Sequence, residues 1–116
     1  MIAQIRPAAF PQWLQSLGTV TALVLDVREP WEHATAMPQP LPDAPTFDVL
    51  PMPMQSIAQR LTELPQDRPI ACLCHHGVRS QHVAAFLLNQ GFEQVVNIAG
   101  GIDGWSRDLD NTVPSY

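Results

Sequence analysis

The residue types best suited to covalent chemistry lie in one run of this chain, Cys74-His75-His76-Gly77-Val78-Arg79-Ser80. An ionised cysteine is a nucleophile, and here it is followed by a glycine and then by a stretch with helical spacing. Gly77 lets the backbone between Cys74 and that helix curl so that several N–H groups point inward. Such a nest, joined to a helix N-terminus, stabilises negative charge. Cysteine pKa values fall to ~3.5–7.5 in electropositive surroundings of this kind. Arg79 adds a fixed cation and a planar fork suited to an oxyanion. A cation in the first turn of a helix runs mildly against the helix dipole, and that local conflict points to function. The chemistry implied is attack by sulfur on an anionic substrate, with Cys74 as nucleophile and His75 to Ser80 as its anion cradle.

Other reactive residues read more blandly. Cys72, one residue from Cys74, sits inside an apolar run and reads as an inert core thiol. A disulfide between the two would close a very small, strained ring. No further cysteine exists to complete a thiolate metal site. His75, His76 and His82 keep a metal reading open, but the expectation is no metal. Base or substrate-tuning roles for His75 and His76 stand level with plain solvation. His82 and His33 read as surface residues, and Trp31 and Trp105 as rim or core aromatics.

Two segments must position the loop. Ile70 to Cys74 and Ala22 to Val27 are continuous apolar runs, the pattern of strands buried on both faces. In open parallel sheets, sites form at the carboxyl ends of such strands. Asp26 and Arg28 end the earlier one and read as supporting residues, Asp26 accepting backbone N–H bonds and Arg28 pairing with a carboxylate. Further strands are expected at the edge from Met1 to Ile5, around Phe47 to Met52, and at Val95 to Ile98. Helices are expected over Ala8–Leu17, Ser56–Leu64, Arg79–Gln90 and a short one holding Ile102 and Trp105. Gly91 suits a helix C′ position, and Gly100-Gly101 a tight turn. Prolines at 38, 40, 42, 45, 51 and 53 make the stretch from about 36 to 53 irregular. The alternation of strand and helix predicts an α/β fold, an open parallel sheet of about five strands with helices on both faces.

Composition bounds the rest. The 116 residues suit one domain, residues 1–116, and 46% hydrophobic content supports one core. A net charge of −5 argues against nucleic acid or an anionic membrane as the main partner. Two unpaired thiols suit a reducing compartment, and the first residues, broken by Pro7 and Pro11, read as neither signal peptide nor membrane span. The expected location is the cytoplasm.

The loop from Cys74 to Ser80 resembles the active-site loop of the rhodanese family. Leu25-Asp26-Val27-Arg28-Glu29-Pro30-Trp31-Glu32 resembles that family's first motif, and Gly91-Phe92 through Asn97-Ile98-Ala99-Gly100-Gly101-Ile102-Asp103-Gly104-Trp105 its closing one. The three occur in the family's order, whereas the Pro-rich stretch departs from the His-Ile-Pro-Gly-Ala type of segment usual there. The resemblance implies a rhodanese-like fold and a sulfurtransferase that needs no cofactor. Cys74 would take a sulfane sulfur from thiosulfate or another small anionic donor as a persulfide and pass it, in ping-pong fashion, to cyanide or a thiol. A relay or sensor module serving a protein donor or acceptor is the alternative. Phosphatases and arsenate reductases of this fold carry a longer loop than the four residues between Cys74 and Arg79, which favours sulfur over phosphate.

Overall fold

The computed structural model describes residues 2–116, so Met1 of the first expected strand lies outside the described residues. Five parallel strands form one sheet: β1 (Ala3–Ile5), β2 (Ala22–Asp26), β3 (Phe47–Pro51), β4 (Ile70–Leu73) and β5 (Val95–Ile98), in the order β1-β5-β4-β2-β3. The two continuous apolar runs are the central pair of this order. β2 and β4 lie side by side, with Asp26 opposite Leu73, and every residue of both is buried. A strand covered on both faces needs apolar residues at every position, which is why these two lack the alternation of a half-exposed strand.

Alternate residues of the central strands feed two cores. Leu23, Leu25, Ile70 and Cys72 point to one face, where α3 (Val78–Asn89) packs through Val83, Ala84 and Leu87. Ala22, Val24, Ala71 and Leu73 point to the other, against α1 (Phe10–Ser16) and α4 (Gly101–Asp108). There Phe10 and Trp105, both fully buried, meet with ring centroids 5.0 Å apart. Helices therefore cover both faces, as the strand–helix alternation predicts. No helix among the described residues is long and apolar enough to cross a membrane.

Three local expectations are corrected. Ser56–Leu64 is not a helix: 3-10 turns at Met54–Ser56 and Leu61–Glu63 flank a single helical turn in which the Arg60 N–H reaches the Ser56 carbonyl. A segment this short between Pro53 and Pro65 cannot sustain a helix by itself. Its apolar residues are satisfied instead by burying Ile57 and Leu64 in the α3-side core. The stretch expected as one helix over Ala8–Leu17 is split, with a 3-10 turn at Pro7–Ala9 before α1. The helix expected over Arg79–Gln90 runs from Val78 to Asn89, with Gln90 exposed as its C-cap. Conversely, α2 (Pro30–Thr35) was not anticipated. Its signals are local: Pro30 at the first helical position, and Glu32 reaching back to accept the Glu29 N–H at 2.9 Å.

Candidate active site

Cys74 follows β4 directly, and the chain turns there through His75, His76 and Gly77 into α3. Gly77, at φ 106°, is the N-cap of that helix, and a Cβ there would crowd the Gly100 nitrogen at 3.1 Å. The loop is gripped from the far side by α4. Its first amides, of Ile102 and Asp103, donate to the carbonyls of Cys74 and His75 at 2.9 and 3.0 Å. Gly100 and Gly101 both have positive φ, as the tight-turn reading requires.

The Cys74 sulfur is 1% exposed and accepts the Gly77 N–H at 3.0 Å, with Ser80 Oγ at 3.2 Å. One backbone donor and one hydroxyl thus meet a single Sγ above the start of α3, where backbone N–H groups lack helical partners. His75 is half-buried and His76 exposed; their rings stack at 3.9 Å, and His75 also stacks on Tyr116 at 4.0 Å and 7°. Val78 is exposed, and so is Trp31, which lies edge-on to Tyr116.

Arg79 is not held open for an anion. Its two terminal nitrogens grip Glu32 in a fork-to-fork pair, Nη1–Oε2 at 2.7 Å and Nη2–Oε1 at 2.8 Å. Glu32 also accepts the Tyr116 hydroxyl at 2.9 Å. The Arg79 hydrogen bonds hold the Glu32 carboxyl down at about 2, and Glu32 in turn raises Arg79. An incoming oxyanion must therefore compete with Glu32 for the fork. Because the folded carboxyl titrates below an ordinary one, the pair stabilises the fold above about pH 4.5 and loses that contribution as pH falls toward 2. Thermal melts between pH 5 and about 2 are expected to drop more steeply for the wild type than for Glu32→Gln. Parallel slopes would show that the pair contributes nothing.

Asp26 and Arg28, both fully buried, pair with each other through Nε–Oδ1 at 2.8 Å and Nη2–Oδ2 at 2.6 Å. Arg28 also donates to the carbonyls of Glu32 and Ala36 and to the Tyr116 hydroxyl. The backbone amide that Asp26 accepts is that of Arg28, not one from the loop at Cys74. This pair clamps α2 in place, and α2 carries Glu32. His33, read as a surface residue, lies mostly buried with Nε2 3.4 Å from Asp26 Oδ1. His82 is exposed as expected.

Among the described residues, the donors that gather near His75 and His76 include Asp103 and not His82. Cys72 is fully buried on the same face as Cys74, both free, and burial pushes its thiol far up. Glu32, Asn97 and Tyr116 are the site residues that sequence reasoning missed.

The rhodanese-like domain family model matches residues 10–108. This chain belongs to the rhodanese-like family. It is 39% identical over 89 residues to a sulfurtransferase of Allochromatium vinosum, covering 77% of this chain and 76% of that one. It is 34% identical over 86 residues to the thiosulfate sulfurtransferase GlpE of Actinobacillus pleuropneumoniae, covering 74% and 72%. The crystal structure of a rhodanese-related protein from Thermoplasma volcanium superposes with a TM-score of 0.75 at 25% identity, over 92% of this chain and 93% of that one. The protein is a rhodanese-type sulfurtransferase, so its reaction requires a sulfur donor and an acceptor.

Proposed function

We propose that Cys74 carries the sulfur. Its thiolate attacks the outer sulfur of thiosulfate or a related sulfane donor, forming an S–S bond as the bond to the leaving group breaks. With thiosulfate, sulfite departs with the electron pair. The persulfide's charge rests on the outer sulfur, where the amide cradle that opens α3 can hold it. A thiol or cyanide then attacks that outer sulfur and returns Cys74 as thiolate, which is ping-pong chemistry.

The observation that carries this reading is the Gly77 N–H aimed at Cys74 Sγ from 3.0 Å, at the carboxyl end of a central strand. The names of the relatives favour thiosulfate as donor. Arg79 attracts the donor anion, and Glu32 keeps the guanidinium in register until the anion displaces it. The four-residue spacing between Cys74 and Arg79 makes a cradle shorter than phosphate chemistry uses.

Intact-mass spectrometry tests the reading. After incubation with thiosulfate the protein should gain about 32 Da, one sulfur atom, and lose it on adding cyanide. No gain, or the same gain in Cys74→Ser, overturns it.

A protein acceptor is the second reading, favoured by Trp31 at 63% and Val78 at 66% exposure on the rim of the loop. Stable persulfide with negligible thiosulfate–cyanide turnover would select the relay; brisk turnover would select the small-molecule enzyme.

A further inference from the structure

Ser80 and Asn97, buried to 0% and 1% exposure, stand behind Cys74. Ser80 Oγ lies 3.2 Å from Cys74 Sγ and 2.5 Å from Asn97 Oδ1. One hydroxyl has one proton, so it donates to one of these at a time. The far end of Asn97 decides which. Its Nδ2 lies 3.1 Å from the Gly77 carbonyl and 2.9 Å from Gln4 Oε1. A backbone carbonyl only accepts, so the NH2 group must face Gly77 and the amide oxygen must face Ser80. That oxygen also only accepts. Ser80 therefore gives its proton to Asn97 and turns a lone pair toward Cys74.

With Cys74 as a thiol, its S–H can donate to Ser80, and the bonds close into a ring: Cys74 to Ser80, Ser80 to Asn97, Asn97 to Gly77, and Gly77 N–H back to the sulfur. A thiolate breaks this ring. It has no proton to give, and it gains the Ser80 donor only if Ser80 leaves Asn97. A persulfide lets the ring relax again, because its charge has moved to the outer sulfur and Sγ no longer competes for the hydroxyl proton.

We propose that Asn97 is a positioning residue that withholds the Ser80 proton from Cys74, raising the energy of the free thiolate relative to the thiol and the persulfide. The inference rests on Cys74 as the nucleophile. Raising the thiolate relative to the persulfide favours the loaded state at equilibrium, and each thiolate that forms is the stronger nucleophile. The other titratable or charged groups of the site include Arg79 of α3 with its partner Glu32 of α2, Cys72 of β4, His75 and His76 of the loop, Tyr116 and Asp103 of α4. They are common to every variant below and cancel in the comparison.

The test is a double-mutant cycle on the Cys74 ionisation, read from the pH dependence of iodoacetamide alkylation at the Cys74 peptide. The proteins are wild type, Asn97→Leu, Ser80→Ala and the double variant. Asn97→Leu is expected to lower the apparent pKa by about one unit, the worth of one hydrogen bond to a charged group. With Ser80 already alanine, the same substitution should move it by less than about 0.3 units. An equal shift in both backgrounds would mean that Asn97 acts only by tethering Gly77, and overturns the proposal. So would no shift, or a rise, in Asn97→Leu. If Asn97→Leu does not fold, Asn97→Ala enters the same cycle with the same expectations. Alkylation needs no sulfur donor, so a wild type that never gains sulfur refutes the persulfide reading while leaving this cycle readable.

Discussion

Cys74→Ser is expected to lower sulfur-transfer turnover by about ten-thousandfold or more, the scale of losing a covalent nucleophile. The substitution keeps the size of the group and its ability to accept the Gly77 N–H, now at 3.0 Å from Sγ. It removes the atom proposed to carry the persulfide. Cys72 cannot stand in, because it lies inside β4, away from the loop amides, and its thiol is pushed far from ionising. The fold should survive, with a thermal midpoint within a few degrees of wild type. Steady-state sulfur transfer to cyanide, with near-ultraviolet circular dichroism as the folding control, reads both quantities. Turnover above about a hundredth of wild type in a folded variant would show that the sulfur travels by another route, since only losses on the nucleophile scale fit the assignment.

The second large effect is expected far from any reactive group. Gly101→Ala should destabilise the protein by about 3 kcal/mol or more and lower the midpoint by roughly 10 °C. Gly101 has φ +61°, where an L side chain costs about 1–2 kcal/mol. Its Cβ would also overlap the carbonyl oxygen of His75 and come within 2.5 Å of that of Cys74. Both are backbone atoms of the loop, so neither can rotate away. To make room, the start of α4 must retreat, and the amides of Ile102 and Asp103 then release the two carbonyls they hold. Each lost bond adds about 1 kcal/mol. Because those carbonyls fix the loop, activity should fall along with stability. Denaturant melts and turnover of Gly101→Ala check this, and a midpoint within a few degrees of wild type would show that the contact relaxes easily. Gly18→Ala is the control: its φ is also positive, but nothing lies within 4 Å of the added carbon. It should lose only the backbone part of the effect.

These expectations recast the roles of the charged residues. The site holds two cations and two anions in neutralised pairs, Arg28 with Asp26 and Arg79 with Glu32. In the proposed reaction, its pull on an anion would therefore come from oriented backbone amides and from an arginine that must first release a carboxylate. The first pair is a clamp on α2. Removing one partner would leave a buried charge uncompensated, which is far more costly than the pair is favourable.

Some of this was legible in the residues alone. The central strands were read from Ala22–Val27 and Ile70–Cys74 because burial on both faces writes itself into consecutive residues. The loop after Cys74 was read because a cysteine, a glycine and a helix start are neighbours along the chain, and Gly77 and Gly101 mark backbone shapes that other residues resist. The helix expected over Ser56–Leu64 failed where periodic apolar spacing met prolines at both ends.

By itself, then, the sequence determined the two central strands, the glycine-marked turn that follows Cys74 and the family. Those signals are local, carried by side-chain period and by backbone preference. Only the tertiary structure decided what the loop touches. Arg79 meets Glu32 across 47 residues, Ser80 meets Asn97 across 17, and the ring of Tyr116 lies on that of His75. The first two meetings follow from β2 and β5 flanking β4 in the sheet. Lateral strand order is a long-range choice that periodicity along one strand does not record.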